Sequence, residues 1–189
     1  MRWYILVPLL LALTTPLVVH SQQAAVDPSH SFFYFDTQTH FGQHIRGEFP
    51  VYESVIHRYA EGLRGVYVRL YTRSVEIPNR PLMTSRLRSS TFFDAEQFPF
   101  VVFQSALFPE SVLVAGGDIT GQLTIRNVTH QETFHVVPLW CSKAIDACNV
   151  RISGTILRDN YGMASWAMLL DSQVTFSWQG HLPNETTSQ

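Results

Sequence analysis

Charge is scarce in this chain: 15% of its 189 residues are Asp, Glu, Lys or Arg, and the formal net charge is −2. Its 13 basic residues form no long block, and the densest cluster is Arg80, Arg86 and Arg88. That argues against nucleic acid as a partner. Motifs of catalysis are missing too. There is no GxSxG elbow, no HExxH and no glycine-rich phosphate loop, since Gly116-Gly117 reads as a turn. Asp94 and Glu96, one residue apart, read as charges at a helix N-terminus. The 8 histidines read as polar strand-end or surface residues, with His40 and His44 straddling a turn. No catalytic residue and no metal ligand is assigned, and the chain is not expected to be an enzyme.

Cysteine is scarcest of all, with only Cys141 and Cys148. Their six-residue spacer fits neither CxxC redox chemistry nor usual zinc spacing. A structural disulfide is expected, stabilising the fold by about 2.5 kcal/mol in the chain-entropy model; a redox pair and a pair of metal ligands are the alternatives.

Apolar residues dominate what is present: 46% hydrophobic, with 13 Phe, 7 Tyr and 4 Trp. Such a chain buries a sizeable core, and its length suits one domain. Arg2 followed by the apolar run Trp3 to Val19 reads as a secretory signal peptide over residues 1–21, cut near Ser21 or nearer Ala24 or Ala25. A retained anchor is the alternative, but the run is at the lower limit of a membrane span and holds Pro8 and Pro16. Export to the periplasm or beyond follows, and favours the disulfide.

From residue 26 the dominant period is two. Ser31, Phe33, Phe35 and Thr37 share one face; Ile45, Gly47 and Phe49 start a strand running on towards His57. Val66, Val68, Leu70 and Thr72 alternate with Tyr67, Arg69, Tyr71 and Arg73. Val101, Phe103, Ser105 and Leu107 form another face, as do Ile119, Gly121, Leu123 and Ile125. Further strands hold Phe134 and Val136, Ile152 to Ile156, and Val174 to Trp178. About eight strands with no βαβ rhythm predict an all-β antiparallel meander or barrel over residues 22–182, followed by a frayed tail over 183–189. Two segments break the alternation: Arg80 to Gln97, with a capped helical turn over Ser90 to Glu96, and Asn160 to Asp171. Both are candidates to cover a barrel mouth. Tyr67, Tyr71 and Trp178 are expected outward, a patch on which a homodimer could form.

The phrases Val26-Asp27-Pro28-Ser29-His30-Ser31, Leu87-Arg88-Ser89 with Phe92-Phe93-Asp94-Ala95, Gly121 to Thr129, and Ile156 to Met163 occur in an order that resembles the YceI family of lipocalin-like, polyisoprenoid-binding proteins. Asn127 stands where the family usually has glycine, so that turn relies on the tolerance of Asn for positive φ. The cysteine pair is not a general family feature. The resemblance implies an eight-stranded antiparallel lipocalin-like barrel, with one or two short helical segments at its mouth, holding an isoprenoid such as a ubiquinone-like tail or a polyprenyl phosphate. No other cofactor is required, and membrane contact is expected only transiently, for lipid exchange.

The inward faces supply a lining of Phe33, Phe35, Phe49, Val68, Leu70, Val101, Phe103, Leu123, Ile125, Phe134, Val136, Val174 and Phe176, joined by Tyr161 and Met163 from the mouth. No carboxylate or lysine interrupts it. Each buried methylene contributes about 0.8 kcal/mol, offset by ordering of the lipid chain, so a slowly exchanging ligand is expected. Arg88, Arg158 and His40, together with Arg86, are candidates to meet a headgroup; the alternative for the arginines is that they satisfy backbone carbonyls or a carboxylate. Two other readings of the whole remain: a structural or protein-interaction barrel with a filled core, and an isoprenoid-linked enzyme or electron-transfer accessory, which would need a titratable cluster at the mouth.

Overall fold

A computed structural model describes residues 22–25, 31–141 and 148–181. The expected leader, His30 and the tail lie outside the described residues. In chain order the elements are β1 (Gln22–Ala25), β2 (Phe32–Gln38), β3 (His44–Glu48), β4 (Tyr52–Arg58), β5 (Leu63–Tyr71), α1 (Pro81–Arg88), β6 (Phe100–Ser105), β7 (Phe108–Pro109), α2 (Ser111–Ala115), β8 (Gly117–Ile125), β9 (Val128–Cys141), β10 (Cys148–Leu157) and β11 (Gln173–His181).

The strands form one antiparallel sheet in the order β1-β4-β5-β6-β8-β9-β10-β11-β2-β3, with β7 beside β5. The expected eight strands are there once β3 and β4 are recognised as halves of one bent strand. β3 pairs with β2 on one side of the bend and β4 pairs with β5 on the other. Backbone bonds continue through the bend: Phe49 donates to the Phe33 carbonyl at 2.9 Å, and Tyr71 donates to the Val51 carbonyl at 3.1 Å. Closing a small barrel demands tilted, staggered strands, and the bend lets one strand serve both neighbours. β1 and β7 are short additions on β4 and β5.

Alternation is obeyed where the strands are longest. Val68, Leu70 and Thr72 are buried while Tyr67, Arg69 and Tyr71 are half-buried outside; Ile119, Gly121, Leu123 and Ile125 all face in. Two inward positions are glycines because aromatic rings cross them. A Cβ on Gly47 would lie 2.3 Å from the Phe35 ring, and one on Gly121 2.6 Å from the Phe103 ring and 2.5 Å from the Gln104 carbonyl oxygen. The rings cover bare backbone, a device that pins register in curved sheets.

Three expectations are corrected. Leu107 is 53% exposed, because β6 ends at Ser105 and the chain turns, so that Phe108 is buried instead. Trp178 is 7% exposed: it lies two and four residues beyond Phe176 and Val174 and shares their inward face. The outward tyrosines therefore have no Trp178 beside them. Arg69 covers them, with its guanidinium 5.0 Å from the Phe100 ring and 5.7 Å from the Tyr67 ring. The helix in the first mouth segment lies earlier than expected, at Pro81–Arg88, since Pro81 favours a helix start; Ser90 to Glu96 forms turns, with Asp94 at positive φ. The β8–β9 hairpin uses a two-residue loop, Arg126-Asn127, both at positive φ as such a loop requires.

Between β9 and β10 the register sets Cys141 opposite Cys148, with a shift at Asn149/Val150 beside Pro138, a residue confined to edges and irregular positions because it cannot donate. The cysteine side chains, and with them the expected disulfide, lie outside the described residues.

The barrel has two unlike ends. At the closed end Leu113 of α2 packs with Ile56, Phe108, Ile119, Val136, Val150 and Trp178. Arg64, 7% exposed, is paired there with Glu110 at 2.5 Å. At the other end α1 and the segment after β10 lie over the strands.

Candidate functional site

Two cavities lie along the barrel. The inner one, of about 70 Å³, is lined by Phe33, Val68, Leu70, Val101, Phe103, Leu123 and Phe134 from the expected lining, together with Leu113 and Trp178. The mouth cavity is larger, about 420 Å³, and takes Phe35, Met163 and Val174 from that lining. Phe176 belongs to both walls. Phe176 stands in a cluster with Phe35, Phe49 and Phe93: its ring centroid lies 6.0 Å from that of Phe35 and 6.4 Å from that of Phe49, and Phe93 is 5.6 Å from Phe49. This cluster separates the two spaces. Phe49, Ile125, Val136 and Tyr161 border neither cavity; they are buried packing residues, at 1%, 0%, 0% and 0% exposure.

Sequence reasoning missed part of the mouth. Met83, Leu87, Phe92 and Phe93 line it but sit in the segment without strand alternation, and Ile77 just precedes that segment. The legible signal was Met83 and Leu87, four apart on one helix face. Phe41, Leu82, Trp166 and Leu169 complete the opening.

The headgroup candidates have mostly structural employment. Arg158 is 3% exposed. It donates to the carbonyls of Asp171 at 2.9 Å, Ser165 at 2.7 Å and Leu170 at 3.2 Å, and also to that of Met163. It thus pins the whole segment that folds over the mouth. His40 Nε2 is 2.9 Å from the Ala167 carbonyl oxygen, fastening the β2–β3 turn to the same segment. Arg88 donates to the Val75 carbonyl at 2.8 Å and reaches that of Ser74 at 3.5 Å. Arg86 differs. It is exposed, lines the cavity, and lies over Trp166 at 5.4 Å.

Tyr161 is held beneath this lid by a hydrogen bond from its hydroxyl to Glu132 at 2.7 Å. Burial, then the bond to Glu132, pushes its hydroxyl far above the ordinary tyrosine range. Among the described residues no three His, Cys, Asp or Glu side chains gather as metal ligands would. Among the described residues, the only charged ones lining the mouth are Arg86 and Arg158. Such a site can exclude water from an apolar chain and offer a cation at its entrance.

Comparison with known proteins agrees on the fold. The model of the YceI-like domain matches residues 25–181. A UPF0312 protein of Staphylococcus aureus is 26% identical over 146 residues, covering 72% of this chain and 80% of its own length. Among solved structures, BcnA of Burkholderia cenocepacia superposes with a TM-score of 0.69 at 15% identity, over 82% of this chain and 97% of its own. A polyisoprenoid binding domain from Saccharophagus degradans, implicated in plant cell wall breakdown, gives 0.61 at 12% identity, over 86% and 99%.

Proposed function

The chain belongs to the YceI-like family, and from that membership we propose that it holds a long isoprenoid lipid, a quinone tail or a polyprenyl phosphate, for transport, storage or sequestration in the periplasm or outside the cell. The observation that carries the reading is the mouth cavity. Its volume of about 420 Å³ falls within the roughly 300–1,000 Å³ of small-molecule sites. Its wall is mainly aromatic and aliphatic, and among the described residues no carboxylate lines it. A structural neighbour described as a polyisoprenoid binding domain supports the ligand class.

The lipid enters at the mouth, with its apolar chain against Phe35, Phe93 and Phe176, and chemistry is left to other proteins. Native mass spectrometry of refolded, delipidated protein incubated with a quinone or a polyprenyl phosphate tests this. A bound mass is expected. No bound mass and no displacement of a hydrophobic dye would sink the proposal. A second reading, a filled interaction barrel without a ligand, is favoured by the small inner cavity of about 70 Å³; it predicts that empty protein is as stable as protein offered lipid.

A further inference from the structure

The three most exposed large apolar side chains among the described residues are Met168 at 90%, Leu82 at 87% and Phe41 at 84%. They come from three segments far apart in sequence, yet all three segments meet at the mouth. His40 joins two of them: its backbone N–H donates to the Leu169 carbonyl at 3.0 Å, and its ring bonds the Ala167 carbonyl. Arg86 over Trp166 joins the third. Phe41, Leu82 and Trp166 also line the mouth cavity, so the exposed rim and the apolar interior form one continuous surface. Trp166 is held at φ 68°, an unfavourable backbone for a bulky residue. Its carbonyl accepts from Leu169 at 2.8 Å and Leu170 at 2.9 Å, which fixes the turn that carries Met168 outward.

Among the described residues, the charged side chains that line the mouth are both basic, Arg86 and Arg158. Arg86 is exposed, and Arg80, at the start of α1, is exposed as well. The nearby carboxylates Asp159 and Asp171 do not line the opening and are hydrogen-bonded within the fold, Asp159 to the Ser172 hydroxyl and Asp171 to the Gln173 N–H.

We propose that this rim is a membrane-docking surface. Phe41, Leu82, Trp166 and Met168 enter the headgroup–acyl boundary of an anionic bilayer, Arg86 lies at the level of the phosphates, and the mouth opens directly into the acyl layer. Aromatic residues favour that boundary, and apolar side chains beside cations are the combination that binds anionic lipid surfaces. A second copy of the chain fits less well, because a two-fold contact through this rim would bring the Arg86 side chains of both copies together. The inference rests on the reading that the mouth admits a lipid chain.

The test is co-sedimentation of the purified chain with vesicles of phosphatidylethanolamine and phosphatidylglycerol, and with vesicles of phosphatidylcholine alone. Binding to the anionic vesicles is expected, weakened roughly tenfold or more in the combined variant Phe41→Ser, Leu82→Ser, Met168→Ser. These positions are solvent-facing, so circular dichroism and the unfolding midpoint should hold. Arg86→Gln should lose the preference for anionic vesicles and keep the fold. Failure of the wild type to bind vesicles, equal binding by the combined variant, or a dimer in sedimentation velocity that the combined variant abolishes would each overturn the proposal. Loading with a polyprenyl lipid in the absence of vesicles separates the two readings. Protein that takes lipid but ignores vesicles defeats the docking surface alone; protein that binds vesicles but takes no lipid defeats the lipid-holding function alone.

Discussion

At Arg158 a guanidinium that is 3% exposed has its donors turned to main-chain carbonyls. The nearest carboxylate, Asp159, stands 3.9 Å away and is 42% exposed. The charge is accommodated by peptide dipoles, and its geometry specifies the path of residues 163–171. Arg158→Gln should lower stability by on the order of 3 kcal/mol, because several buried acceptors lose their donor. The urea midpoint should fall and the 163–171 segment should become sensitive to proteolysis. Arg158→Lys cannot reproduce a planar fork and should recover only part of the loss. A headgroup role would give the opposite pattern, with unchanged stability and weaker lipid binding.

Tyr161 makes a prediction about pH. Its folded hydroxyl titrates above the ordinary range, while the unfolded phenol ionises near about pH 10. Above that pH the unfolded chain releases a proton that the folded chain retains, so stability present below pH 10 declines as pH rises. Tyr161→Phe removes this decline. At neutral pH it should cost about 1–2 kcal/mol for the lost bond to Glu132. Unfolding midpoints of both proteins on either side of pH 10 check the sign.

Among the elements, β8 shows how closely side-chain period and backbone approach are linked. Its four inward positions were legible from alternation, and Gly121 among them marks where the Phe103 ring and the Gln104 carbonyl come close. Backbone cannot yield there as a flexible side chain could. Gly121→Ala should therefore destabilise by about 1–3 kcal/mol through overpacking, measured by denaturant unfolding. A similar change at exposed Gly42 meets no nearby atom, though its positive φ makes it imperfectly neutral. Strand ends were less legible than strand middles. Alternation continues through Leu107, but β6 ends at Ser105: Ala106 makes one last bond, to the Thr120 carbonyl, and Phe108 then pairs with Arg64 of β5 instead.

For the molecule as a whole, the barrel could be read from the sequence because period two encodes inward and outward faces. Its closure could not, because the bend at 49–51 is a relation between β2 and β5, which lie on opposite sides of it in sequence. The mouth was half legible. Its aromatic wall follows from strand faces and from the family-like phrases, whereas the partners of Arg158, Arg88 and His40 are carbonyls, which every residue carries and no motif marks. Whether an arginine at such a position serves a ligand or the lid depends on chain path alone.

The Phe176 wall has a consequence in time. A lipid short enough for the mouth can be accommodated without moving the aromatic cluster, whereas a longer one must displace the Phe176 ring, packed against Phe35 and Phe49, to reach the inner space. Uptake should accordingly show one phase for short prenyl chains and two for long ones, the second slower and more strongly temperature-dependent. Stopped-flow fluorescence of the delipidated protein would resolve them. In Phe176→Ala the slow phase should merge with the fast one, at a loss of about 3–5 kcal/mol in stability. The partition between the cavities would then act as a molecular timer, setting how long each cargo stays according to its length.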